Sequence, residues 1–198
     1  MGDRFNELVQ ALPTGAQVAV ISNAVDFIPM EDRRAYARNV FDPVAHFRSH
    51  GLTASDVDLR AYFGQPDSLL WDLRDVRLVW ANGGHAFLLR RAMKQSGLDE
   101  ILHKRVNAGE IIYGGWSAGA VVAGKTLCGL HLMDDPEVVL EGYAPEPVWD
   151  GLGLIDLTIV PHFESDHPES AAASEAVDWL AKERKPFRAL RDGEVIVV

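Results

Sequence analysis

A chain of 198 residues, 47% apolar and 24% charged, is long enough to bury a sizeable core and is expected to form one globular domain over residues 1–198. Its formal charge of -10 argues against a general polyanion-binding surface, because nucleic-acid affinity rests on Lys and Arg neutralising phosphates. The single cysteine, Cys128, excludes an internal disulfide, and no apolar run reaches the roughly 20 residues of a membrane span. Nucleic acid and membrane are therefore not expected partners, and cytoplasm is the expected compartment.

In chain order, the first segment, "MGDRFNELVQAL", reads as a helix. Strand patterns follow at 16–24, 57–63, 76–84, 110–115, 157–163 and 193–198, several of them unbroken apolar runs of the kind found in sheets covered on both faces. Helical patterns lie between them at 33–51, 86–109 and 168–183. Strand and helix in alternation predict a three-layer α/β fold, a mostly parallel sheet with helices on both faces, of the flavodoxin-like kind. In such sheets ligands lie beyond the carboxyl ends of the strands. That edge should therefore carry Asn82-Gly83-Gly84-His85, Gly115-Trp116-Ser117 and Pro161-His162-Phe163.

The stretch Gly115-Trp116-Ser117-Ala118-Gly119 has the Gly-x-Ser-x-Gly pattern of a nucleophile elbow between strand and helix. Small residues on either side of the serine let strand and helix approach closely, which lifts the hydroxyl clear of the sheet and turns the Ala118 amide toward a developing oxyanion. A serine hydroxyl is a weak nucleophile until a base takes its proton. Of seven histidines, His162 is the candidate base, since it ends an apolar strand run directly after a proline that stiffens the backbone. "HFESDHPE" offers His162, Glu164, Asp166 and His167 as metal donors, but without helical spacing or a second cluster it does not predict a metal site. No cofactor is expected either.

The motifs "NGGHAFLL", "GGWSAGA" and "VPHF", in this order, resemble the peptidase E and cyanophycinase family of serine peptidases (S51), whose fold is shared with class I glutamine amidotransferase domains. The resemblance runs from about Ala16 to Val198. It implies a peptidase acting on small peptides, with Ser117 as nucleophile, His162 as base, and the amides of Gly84 and Ala118 as the oxyanion hole; His85, Trp116 and Glu164 are expected to contact substrate. The acid is open between an early aspartate, Asp134 or Asp135, and the later Asp192 of "ALRDGEVIVV", which is preferred as standing before a terminal strand. Members of the family that cleave amino-terminal aspartyl dipeptides use an arginine on the helix after Pro-His-Phe. Here that segment, "ESDHPESAAASEA", has none and is acidic, so an aspartyl substrate is expected to be repelled.

The family's opening strand is missing from the pattern, and "VIVV" would leave an apolar edge, from which a homodimer is expected. Two other classes stay open at this point. An α/β-hydrolase esterase would need the order Ser, acid, His, with Asp134, Asp135, Asp150 or Asp156 as acid. A non-catalytic, amidotransferase-like ligand-binding module would carry the elbow without chemistry.

Overall fold

The computed structural model describes residues 3–198. Helix α1 (Asp3–Gln10) leads into β1 (Gln17–Ile21), and α2 (Met30–Asn39), α3 (Pro43–Ser49) and β2 (Thr53–Asp56) follow. Next come α4 (Pro66–Asp72), β3 (Val76–Ala81), α5 (Ala86–Ser96), α6 (Leu98–Asn107), β4 (Ile112–Gly115) and α7 (Ala118–Val121). The chain then runs irregularly to β5 (Thr158–Val160), α8 (Ser170–Lys182) and β6 (Phe187–Ala189). Four strands pair in the order β2-β1-β3-β4 and two more as β5-β6, with every strand pair parallel.

The strands place alternate side chains on opposite faces. Ala19, Ile21, Val79 and Ala81 pack with Phe87, Leu88 and Leu102 on one side, whereas Val18, Val20, Leu78 and Trp80 pack with Phe5 and Phe47 on the other. This gives the expected three layers. β5 and β6 join through a smaller cluster in which Ile159 and Leu190 meet Ala123 and Tyr113.

Several element boundaries differ from the sequence expectation. The strand expected at 57–63 is instead Thr53–Asp56 followed by a 3₁₀ turn at Leu59–Tyr62. Asp58 caps that turn through the Arg60 amide, and Asn23 Oδ1 accepts the Leu59 amide, so the backbone groups a strand would pair are already satisfied. The helix expected over 33–51 divides because Asp42 precedes Pro43, which disfavours helical geometry at the residue before it; the Asp42 carboxylate then caps α3 through the Ala45 amide at 3.0 Å. The 86–109 helix divides at Gly97, whose φ of +78° suits glycine and where a Cβ would lie 2.7 Å from Pro66 Cβ. The terminal strand expected at 193–198 does not form: residues 191–194 make a turn, Val195, Val197 and Val198 are exposed, and the strand lies earlier, at β6. No helix among the described residues is long and apolar enough to cross a membrane.

The carboxyl edge of the sheet is tied by a polar chain. Asn82 Nδ2, after β3, donates to Ser22 Oγ, after β1, and Ser22 Oγ donates to Asp56 Oδ1 at the end of β2. Arg91, fully buried on α5, donates to the carbonyls of Pro136, Val138, Pro145 and Glu146 and so holds the long 134–146 loop on the core.

Candidate active site

The tight turn after β4 is enforced by two glycines. A Cβ on Gly115 would stand 2.7 Å from the Gly119 carbonyl carbon and 2.8 Å from the Ala81 oxygen, and a Cβ on Gly119 would overlap that same Ala81 oxygen. With strand and helix this close, Ser117 takes φ +46° and ψ -118°, a conformation side chains rarely adopt. Such strain is of the order of 1–3 kcal/mol and persists only where the surroundings fix it. Here the Tyr113 hydroxyl adds a 2.7 Å bond to the Gly119 carbonyl, pinning α7 to the strand it follows.

The second contributor arrives after β5. Phe163 N donates to the Leu190 carbonyl and Leu190 N to the Val160 carbonyl, which draws the loops after β5 and β6 together. His162, at φ +61°, turns its ring to the elbow, and its Nε2 lies 3.0 Å from Ser117 Oγ. Its Nδ1 lies 2.7 Å from Asp192 Oδ1. The ring is 12% exposed while the Asp192 side chain is 50% exposed, so this carboxylate stands at the rim. What fixes it there is Ser165: its Oγ accepts the Asp192 amide at 2.8 Å and donates to the Phe163 carbonyl.

Among the described residues, the other aspartates considered from sequence make no bond to His162. Asp134 Oδ2 accepts the Ala86 amide at the start of α5, and burial pushes its carboxyl up from the ordinary range despite that bond. Asp135 accepts the Glu137 amide, Asp156 pairs with Lys125 at 2.6 Å, and the Asp150 carbonyl takes a bond from Arg90. Among the described residues, Asp192 is the acid bonded to His162 Nδ1.

The double-glycine loop lies directly against the elbow, since a Cβ on Gly83 would stand 3.0 Å from Ser117 Cβ and 3.2 Å from Trp116 Cδ1. Gly84 has φ +131°, and a Cβ there would meet the Ala24 oxygen at 2.5 Å. Among the described residues, the amides of Gly84 and Ala118 donate to no other group. His85 is nine-tenths buried and caps α5 by accepting the Leu88 amide, leaving it little surface for a ligand. Trp116 packs between Phe41 and Trp80, with ring centroids 4.9 and 6.5 Å away.

Glu164, at φ +46°, forms an ion pair with Arg191. Arg191 comes from the loop after β6, and the pair leaves the Glu164 carboxylate already engaged within the protein. Besides Asp192, a second carboxylate approaches the His162 ring: Glu169, its Oε2 3.8 Å from Nε2. Ser165, Glu169 and Arg191 were not singled out by sequence motif, because their positions depend on the pairing of β5 with β6. The acidity of 164–176 was the one signal pointing toward Glu169.

Residues 4–198 match the family described as Peptidase family S51. The chain belongs to peptidase family S51. Similar proteins carry related names: an uncharacterized peptidase of Listeria innocua is 30% identical over 101 residues, 50% of this chain and 45% of that protein. A peptidase E of Streptomyces coelicolor is 28% identical over 187 residues, 92% of this chain and 68% of its own length. The matches to the Listeria innocua protein and to its Listeria monocytogenes counterpart span less than half of either relative, at 45% and 43%. A crystal structure from Listeria monocytogenes EGD-e, assigned provisionally as a peptidase E, superposes with a TM-score of 0.72 at 20% identity, covering 98% of this chain and 90% of that one. That likeness shows a fold common to the two chains, and in this chain the elbow after β4 and the loops carrying His162 and Asp192 are set into it.

Proposed function

We propose that the protein is a serine peptidase acting on short peptides through a Ser117-His162-Asp192 triad. The observation that supports this best is the unbroken run of contacts from Ser117 Oγ to His162 Nε2 at 3.0 Å and from Nδ1 to Asp192 at 2.7 Å. In this reading Nε2 takes the hydroxyl proton as Oγ attacks the scissile carbonyl, and Asp192 holds the tautomer and stabilises the imidazolium. The free amides of Gly84 and Ala118 stabilise the oxyanion that forms. Collapse of the tetrahedral intermediate expels the amine, which receives the proton from Nε2; water then attacks the acyl-enzyme by the same route.

Substrate choice follows from charge. Arg191 neutralises Glu164, but Glu169 remains beside the reactive ring with Asp166 and Glu175 nearby in sequence. A substrate with an acidic amino-terminal side chain meets like charge, whereas a neutral or basic one does not. We expect kcat/KM for an Asp-initiated dipeptide to lie about 10-fold or more below its Ala, Leu and Arg counterparts, as like-charge approach costs more than a kcal/mol in a partly desolvated site. A dipeptide series assayed with wild type and Ser117→Ala tests this; faster cleavage of the aspartyl substrate would refute the charge argument.

Ser165 is a positioning residue in the same scheme. A half-exposed Asp192 can turn toward water once its amide is released, so Ser165→Ala should lower kcat about 10-fold with KM little changed, the cost of one lost hydrogen bond of roughly 1.4 kcal/mol. Ser165→Thr keeps the hydroxyl and should restore turnover. An equal loss in both variants, or a fall in thermal midpoint that matches the loss, would indicate a packing effect instead.

A further inference from the structure

His162 does not stand alone on its outer side. The ring of His167 stacks on it with centroids 3.7 Å apart and planes 7° from parallel, and Glu169 places Oε2 3.8 Å from His162 Nε2. One donor atom from each of His162, His167 and Glu169 lies within 4.8 Å of the others. The chain brings them together because Pro168 and the start of α8 turn residues 167–169 back over the strand end that carries His162.

We propose that His162, His167 and Glu169 form a binding site for a zinc-like divalent transition metal, and that its occupation switches the peptidase site off. Two imidazoles and a carboxylate are a common zinc donor set, with a fourth tetrahedral position left for water. Metal–nitrogen bonds of about 2.0–2.1 Å place tetrahedral donors roughly 3.4 Å apart, so the 3.8 Å between Nε2 and Oε2 needs little contraction. His162 is preset as a ligand: Asp192 on Nδ1 leaves the lone pair on Nε2, the carboxylate–histidine arrangement that raises ligand basicity and fixes the ring. Glu169 is 45% exposed, so an ion can enter from solvent. Binding has three costs, the first being the 3.0 Å contact of Ser117 Oγ with the Nε2 nitrogen that the metal must take. The parallel rings carry their lone pairs side by side, so His167 must tilt to converge with His162, and it gives up the 3.2 Å bond its Nδ1 accepts from the Glu169 amide.

The consequence for activity rests on the triad reading, because a metal on Nε2 takes the lone pair that would receive the Ser117 proton. The site itself does not rest on it. Calorimetry with zinc chloride and Ser117→Ala, a protein without turnover on the triad reading, should therefore give one site of micromolar affinity. In that background His167→Ala and Glu169→Gln should each weaken binding by about 10-fold or more, whereas His50→Ala, which removes half of the separate His46–His50 pair at the end of α3, should leave it unchanged. Wild type should lose peptide hydrolysis over the same zinc range and regain it with a chelator. Absence of stoichiometric binding, or binding untouched by both substitutions, overturns the site. Binding at this site with hydrolysis unaffected overturns the switch. Absence of any hydrolysis in wild type counts against the peptidase reading, while calorimetry still decides the metal site.

Discussion

Ser117→Ala is expected to abolish peptide hydrolysis, lowering turnover by about 10⁶-fold, the scale on which a triad serine acts as part of a unit. The folded structure should survive, because alanine keeps the Cβ and the backbone at φ +46° is set by Gly115 and Gly119 closing on Ala81 rather than by the hydroxyl. That distinction yields a second variant with opposite effects. Ser117→Gly should relieve part of the backbone strain and raise the thermal midpoint, since glycine adopts positive φ at little cost, a gain of about 1 kcal/mol. A fluorophosphonate probe should label wild type and neither variant. Labelling of Ser117→Ala at another residue, or undiminished hydrolysis, would remove the serine from the reaction.

The site was more legible in the sequence than the elements around it, and the reason is range. Gly115, Ser117 and Gly119 constrain one another within five residues, and Pro161-His162-Phe163 ends its own strand, so short motifs carried both. β2 was invisible because Thr53–Asp56 buries only Ala54 and has no apolar alternation to read. The opposite error occurred at the carboxyl end, where "VIVV" has strong strand composition but, among the described residues, no neighbouring strand offers it a ladder. Asp192 was therefore favoured for a reason that fails, as the strand precedes it; the loop is held instead by the Ser165 and Leu190 bonds. Such bonds join positions some 27 residues apart in the chain. No local pattern encodes them, which is also why the Arg191–Glu164 pair and the Glu169 approach to His162 emerge only from the fold.

Asp192→Asn is expected to lower turnover by about 10²- to 10⁴-fold, against roughly 10⁴ for the equivalent change in a protease whose acid is buried. The smaller figure follows from exposure: Asp192 is half open to water, which can orient the imidazole in part and stabilise its positive charge when the carboxylate is gone. Asn offers Nδ1 either a carbonyl oxygen or an amide donor, and the charge is lost in both cases, so the effect should fall on kcat. Asp134→Asn is the control that separates the two chain orders. Asp134 is held by the Ala86 amide, and Asn can keep that acceptor. Burial raises its carboxyl, so folding favours the protonated form and ionisation at neutral pH subtracts from stability. The neutral amide removes that cost, and Asp134→Asn should hold or slightly raise the thermal midpoint at neutral pH while turnover stays within a few-fold of wild type. If Asp134→Asn instead loses turnover and Asp192→Asn does not, with both proteins folded, His162 takes its acid from the earlier loop in the reacting state and the order becomes Ser, Asp, His.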